Sequence, residues 1–319
     1  MQELAGIVFN ILLPILVLIA LGAWLRWQFE VDLVTLSKIN IYCFVPAFVY
    51  QKVATSSLPW SEMGGVVIIT VTQVFVLGGV VWGLGRLLGV SRKTLSAVAI
   101  AVMFYNSANY GLPLSELAYP ERNGGAVQAF VVLSQNVLTF TVGLAIAAAA
   151  GSARWTEIFG KIFRLPVLYM LAAALVTRKW TDGDVNKLPL FIAKPAEYLA
   201  QGLVPVALIT LGAQLAASPR WPRFRTISFV LVLRLIFGPI QMIGMLWLFS
   251  KTGWKPIALW PWPAELLILT AGVPTAVNTL LITLELDGDA ELAADCVFWT
   301  TIFSCFTIVG WLLILRHYF

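Results

Sequence analysis

Two stretches of the chain crowd polar residues, glycine and proline where an apolar run would otherwise continue. The first reads Tyr105-Asn106-Ser107-Ala108-Asn109-Tyr110-Gly111-Leu112-Pro113, and the second Thr270-Ala271-Gly272-Val273-Pro274-Thr275-Ala276-Val277-Asn278-Thr279. Proline removes a backbone hydrogen bond and clashes with the preceding turn, and glycine weakens a helix further. Amides need partners that hydrocarbon cannot offer. The pattern predicts two helices that unwind part-way along. Where two such helices meet, their half-helix N-termini present unpaired N–H groups and the positive ends of helix dipoles, which attract an anionic group. Asn106, Asn109, Asn278, Thr275 and Thr279 would orient that group, with Pro113 and Pro274 marking the points of unwinding. A single proline in a span is more often a kink between packed helices. Two matching clusters, each with asparagine, favour binding.

Three further residues are secondary candidates. Arg234 falls well inside an apolar run; it is either a counter-charge for a carboxylate or a side chain snorkelling to the interface with Arg223 and Arg225 below it. Gln135 and Asn136 reach the first broken segment if the helix that follows packs on it as a hairpin; interhelical hydrogen bonding is the plainer use. Gln73, Gln214 and Gln241 read as packing groups, and Glu116, Glu197 and Glu265 as residues near span ends. Asp287, Asp289, Glu291 and Asp295 are expected on a solvated turn and the helix start after it.

Other chemistries are excluded by what is missing. The one histidine is His317, and Cys43, Cys296 and Cys305 all sit in apolar runs, so a metal site, a disulfide framework and a histidine-based triad have no support. No acid stands at membrane depth for general acid–base catalysis. We expect no enzyme, no cofactor, no metal and no nucleic-acid partner.

The elements that position these residues follow from composition. Of 319 residues, 60% are apolar and 12% charged, against about 25% charged in soluble domains. A helix crossing the hydrocarbon core needs about 20 apolar residues, so ten spans would take about 200. The expected class is an all-α polytopic membrane protein. Its spans run near 6–25, 34–50, 63–84, 95–117, 126–150, 162–177, 198–217, 226–249, 263–284 and 292–315. The run from Gly6 to Leu25 is expected to be a retained span, having no basic segment before it and no small-x-small cleavage site after it. Trp24, Trp27, Trp60, Trp155, Trp180, Trp221, Trp254, Trp260 and Trp262 fall near predicted ends, where interfacial aromatic belts lie. Connections after spans one, three and five carry Arg26, Lys38, Arg86, Arg92, Lys93, Arg154, Lys161 and Arg164, against Lys52 and Arg122 opposite, placing both termini outside. Arg178, Lys179, Lys187 and Lys194 run against that count.

The unwound spans are the fourth of the first five and the fourth of the second five. An odd number of spans per half gives the halves opposite topology. Interrupted segments in matching positions of such halves point to a transporter substrate site. The halves are taken as 1–150 and 151–319.

The segment from Asn106 to Leu114 with Ser134-Gln135-Asn136 resembles the auxin efflux carrier family of permeases. So, more specifically, does Ala271-Gly272-Val273-Pro274-Thr275-Ala276-Val277-Asn278 followed by Gly288-Asp289-Ala290-Glu291-Leu292-Ala293. The likeness is to the short bacterial members, without the long central loop of the plant PIN proteins. The resemblance implies a five-plus-five inverted repeat with spans four and nine crossing at the midplane. It also implies a scaffold of spans one, two, six and seven, a transport domain of the rest moving elevator-fashion, and often a homodimer. Substrates in the family are small organic carboxylates such as auxin or dicarboxylates. Span three departs from the plant pattern: Thr70, Thr72 and Gln73 stand where relatives carry an ionisable pair. The expectation is therefore a secondary transporter of a small organic anion in the inner (plasma) membrane. The rival is a sodium-coupled symporter of the bile acid transporter type.

Overall fold

The structure, a computed structural model, describes residues 2–150, 166–184, 187–217, 223–286 and 288–318. The chain runs through α1 (Ala5–Phe29), α2 (Leu33–Ala54) and α3 (Trp60–Leu87). The short helices α4 (Arg92–Met103) and α5 (Leu112–Ala118) follow, with a π-turn at Ser107–Gly111 between them. Next come α6 (Gly124–Ala148), α7 (Pro166–Thr181), α8 (Leu190–Ala216) and α9 (Phe224–Ser250). A second short pair, α10 (Ala264–Ala271) and α11 (Val277–Glu285), precedes α12 (Ala290–Tyr318). Seven of these, α1, α2, α3, α6, α8, α9 and α12, are long and apolar enough to cross a membrane. Among the described residues there is no strand, only one isolated bridge between Tyr105 and Thr275.

The protein is thus all-helical and multi-pass. The remaining three predicted spans are shorter for identifiable reasons. Spans four and nine are each split in two at the stretches singled out above. Span six appears as α7, and its expected start at Ile162 lies outside the described residues, as do Arg154, Trp155, Lys161, Arg164, Trp221 and Asp287.

Local signals set the helix ends. Asp32 caps α2, its carboxylate accepting from the N–H groups of Val34 (3.2 Å) and Thr35 (3.1 Å). The Ser91 hydroxyl does the same for α4, accepting from Thr94 N–H at 3.3 Å. The long helices are apolar on all sides, as helices surrounded by lipid and protein are. Trp24, Trp27, Trp60, Trp180 and Trp254 lie exposed near helix ends.

Packing is closest between α1 and α8. A Cβ on Gly22 would collide with the Ile209 carbonyl, and one on Gly212 with the Ile19 carbonyl, so the two backbones touch only because both residues are glycine. α7 packs along α2, so the first two long helices each hold a helix from beyond residue 165.

One sequence reading changes. Asp295 is buried at 5% exposure, in the second turn of α12, rather than on a solvated turn. Its neighbours Asp289 and Glu291 do stand at the helix start, paired with Arg223 at 2.7 and 3.0 Å. The cations that ran against the charge count also have local work. Arg178 lies over the Trp60 ring at 4.7 Å and donates to the Leu58 carbonyl, and Lys187 donates to the carbonyl of Thr181, the last residue of α7, at 3.1 Å. Near a helix end these cations answer backbone carbonyls, which a count of charges by side does not register.

Candidate functional site

The two interruptions meet. Asn106 N–H donates to the Pro274 carbonyl at 2.8 Å and Ala276 N–H to the Phe104 carbonyl at 3.0 Å, a one-residue antiparallel bridge deep in the protein. A helix end leaves carbonyls without intrahelical partners, and burial makes leaving them unpaired costly. Here three of them are answered by side chains from elsewhere in the fold. At the end of α4, Ala101 O accepts from the Thr275 hydroxyl (2.8 Å) and Val102 O from the Arg234 guanidinium (2.6 Å). At the end of α10, Ala271 O accepts from the other guanidinium nitrogen of Arg234. Thr275 N–H is held by the Thr300 hydroxyl of α12 at 3.0 Å.

Beside this bridge lies a cavity of about 70 Å³. Asn106, Asn109, Gln135, Asn136 and Asn278 line it, so five of the ten predicted site residues come together. Tyr105, Ser107 and Thr139 add hydroxyls, and Ile41, Val45, Phe140, Val167 and Val277 supply apolar walls. Among the described residues no charged side chain lines it.

The amides are oriented by the backbone. Asn106 Oδ1 accepts from Asn109 N–H at 3.1 Å, capping the turn that leads into α5, which leaves Nδ2 buried with no partner. Gln135 Oε1 accepts from Tyr105 N–H at 3.4 Å, and its Nε2 is likewise unpartnered. Both residues are buried, at 6% and 1% exposure. Beside the cavity two buried NH₂ donors are therefore left without a protein partner, their oxygens used elsewhere. The helix α11 opens at Val277, and Ala276, Val277 and Asn278 line the cavity.

The other five candidates sit elsewhere. Pro113 occupies the first turn of α5, where a missing N–H costs little. Pro274 and Thr275 belong to the bridge itself. Arg234 is fully buried at 0% exposure behind Tyr105, 4.6 Å from its ring, rather than on the cavity surface or reaching for the interface. Thr279 turns back on Ala276 O at 2.6 Å.

Several residues escaped the sequence reading. Asn40, fully buried in α2, donates to Asn109 Oδ1 at 2.8 Å. Gln128 fixes the Ser107 carbonyl at 2.8 Å, while Gln73, read as a packing group, bonds within the protein by accepting from the Tyr105 hydroxyl at 3.4 Å. The usable signal for Asn40 was the one applied to Asn106, an amide inside an apolar run. No sequence signal marks the π-turns at Asn40–Phe44, Ser107–Gly111 and Thr139–Gly143, which bring Ile41, Asn109 and Thr139 to the cavity.

Comparison with known proteins adds a family context. A family model described as "Membrane transport protein" matches residues 170–312. An "Uncharacterized transporter" of Methanothermobacter thermautotrophicus is 25% identical over 315 residues, covering 95% of this chain and 97% of the relative. A "Putative malonate transporter" of Rhizobium meliloti is 24% identical over 295 residues, covering 88% and 86%. "Protein PIN-LIKES 6" of Arabidopsis thaliana is 27% identical over 132 residues, covering 40% and 30%. These matches bear out the resemblance carried by the two interrupted segments.

Proposed function

We propose that this membrane transporter, a relative of the auxin efflux carriers and not an enzyme, carries a small organic anion through the cavity beside the paired helix breaks. The observation that carries the reading is the pair of buried, unpartnered NH₂ donors on Asn106 and Gln135. In each the oxygen is already held by a backbone N–H. Donors left free beside a cavity suit an acceptor-only ligand, and an ionised carboxylate is one. The opening of α11 adds the positive end of a helix dipole. Neutral donors hold such a group loosely enough for release, whereas a lining arginine would hold it as an ion pair. The cavity volume suits a short mono- or dicarboxylate, and the Rhizobium meliloti relative's name points to malonate.

The architecture belongs to the same proposal. Ten spans in two inverted halves, 1–150 and 151–319, have α4–α5 and α10–α11 as their fourth members, crossing at mid-membrane. α1, α2, α7 and α8 form the scaffold, and the other helices the domain that moves by an elevator step. The reciprocal pairing of α1 with α8 and α2 with α7 supports that division. Besides apolar packing of α2 on α6, two polar links join α2 to the proposed moving part, Asn40 to Asn109 at 2.8 Å and Lys52 to Glu116 at 2.5 Å, and these can exchange partners as it slides. A homodimer in the inner membrane with both termini outside completes the reading.

The test is counterflow in proteoliposomes. Unlabelled malonate inside should drive saturable uptake of labelled malonate, and Asn109→Ala and Asn278→Ala should abolish it in protein that still elutes as a folded species. Wild-type rates in both variants would remove the site assignment, and flux without saturation or counterflow would indicate a passive channel.

A further inference from the structure

Arg234 is the largest fully buried side chain among the described residues, and the ion pairs found there all involve other groups. A guanidinium in that position needs a counter-charge. Its two terminal nitrogens donate to Val102 O and Ala271 O, and its face lies 4.6 Å from the Tyr105 ring centre. Val102 and Ala271 stand at the C-terminal ends of α4 and α10. Each helix end carries about half a negative charge, so two ends sum to about −1 and balance one guanidinium. The π-turn Val232–Phe237 in α9 carries the arginine to this place.

In transporters built on broken helices, unwound carbonyls and half-helix C-terminal ends are where a co-transported cation is coordinated. In this chain the same kind of position is filled by a side chain. We propose that Arg234 is the resident cation of the paired breaks: its guanidinium stands where a coupled monovalent cation would bind, so the anion moves without a sodium partner. Its charge is already balanced by the two helix ends, which separates it from substrate recognition. Arg234 is then a positioning residue. It fixes the ends of α4 and α10 and, through the Tyr105 ring, the segment that leads into Asn106. Removing it leaves about one negative charge facing a space shaped for a small planar cation.

The transport part of this inference rests on the anion-carrier reading; the cation part does not. It is tested by melting purified protein in 10 mM guanidinium, sodium, potassium or choline chloride at constant ionic strength. The wild type is expected to melt at one temperature in sodium and choline. Arg234→Ala should melt several degrees lower, with guanidinium restoring at least half the loss. Arg234→Lys, which keeps the charge, should melt above Arg234→Met, which keeps only bulk. Sodium stabilisation of the wild type, an Arg234→Ala variant that melts like wild type or ignores guanidinium, or Arg234→Met matching Arg234→Lys would each overturn the proposal. Should none of the variants fold, the wild-type comparison of sodium with choline decides alone. In proteoliposomes, wild-type anion uptake should be equal in sodium and choline. A protein that moves no carboxylate, yet whose Arg234→Ala variant is rescued by guanidinium, would retain the resident cation and lose the anion-carrier reading.

Discussion

At the break between α4 and α5, Asn106 and Gln135 each use an oxygen to hold a backbone N–H and leave a buried NH₂ free. At the break between α10 and α11, Thr275 does the reverse. Its N–H is held by Thr300, its hydroxyl is used on Ala101 O, and nothing on its side chain is left over. Only Asn278 from that second stretch brings a side-chain amide to the cavity. Two stretches with the same ingredients have thus divided the labour: Asn106, with Gln135 of α6 beside it, keeps a buried donor free, while Thr275 braces the pair. What separates them is polar satisfaction. A buried group whose bonds are complete is structural, and one held in place with a bond unmade is available to a ligand.

The sharpest way to break this comparison is Asn106→Asp. The substitution keeps the oxygen that caps the turn and replaces the free donor with a second oxygen. It removes a charge-assisted hydrogen bond worth about 1.5–3 kcal/mol and adds a like charge, so anion transport should fall by at least about 100-fold. Counterflow rates would show it, and near-normal transport would return Asn106 to a purely structural part.

Thr275→Val should behave in the opposite sense. Ala101 O would be left buried without a partner, at a cost of about 1–3 kcal/mol. The melting temperature should drop while the affinity of the folded protein for its anion stays within about 2-fold. A large loss of affinity without loss of stability would move the second break into the binding site.

Gln135→Met removes the other free donor at nearly constant volume. Affinity should weaken about 10-fold, the equivalent of 1.4 kcal/mol, in an isothermal titration with malonate. An unchanged affinity would leave Asn106 as the sole donor at the first break.

The smallest effect is expected at Asp32, an exposed cap that serves as a control for the buried cap at Asn106. Hydrogen bonds from the Thr35 hydroxyl, and then from the N–H groups of Thr35 and Val34, hold its carboxyl below the ordinary value of 3.8. A carboxyl depressed in the folded state adds stability above its unfolded pKa and loses it as pH falls through the folded one. The melting difference between wild type and Asp32→Ala should therefore be small and constant at neutral pH, and should shrink as pH drops below 3.8. A difference that grows on acidification would mean the cap is not ionised in the folded protein.

Much of this was legible before any coordinates. Polar, Gly- and Pro-bearing clusters inside apolar runs marked both breaks, because a membrane-spanning helix cannot hide such residues without consequence. The amides Asn106, Asn109, Gln135, Asn136 and Asn278 were found by the same rule, and Asn40 would have been had the rule been applied to single amides. Arg234 was recognised as unusual, but neither of its two expected roles matches its place. A lone cation in an apolar run reads as substrate counter-charge or snorkelling, and the sequence does not say that two helix ends would converge on it.

Apolar content and run length alone determined that the chain is a bundle of membrane-crossing helices, and residue type alone determined where two of them would fail. Those are local properties, since a backbone in lipid must satisfy its own hydrogen bonds segment by segment. Tertiary structure decided what the failures became. The carbonyl ends of α4 and α10 are answered by Thr275 and Arg234, which lie 174 and 37 residues away along the chain from the groups they hold. Which amides kept a free N–H depended on which backbone groups reached them first. Hydrogen-bond satisfaction at a helix break is a non-local sum, and it closes only when the chain has folded.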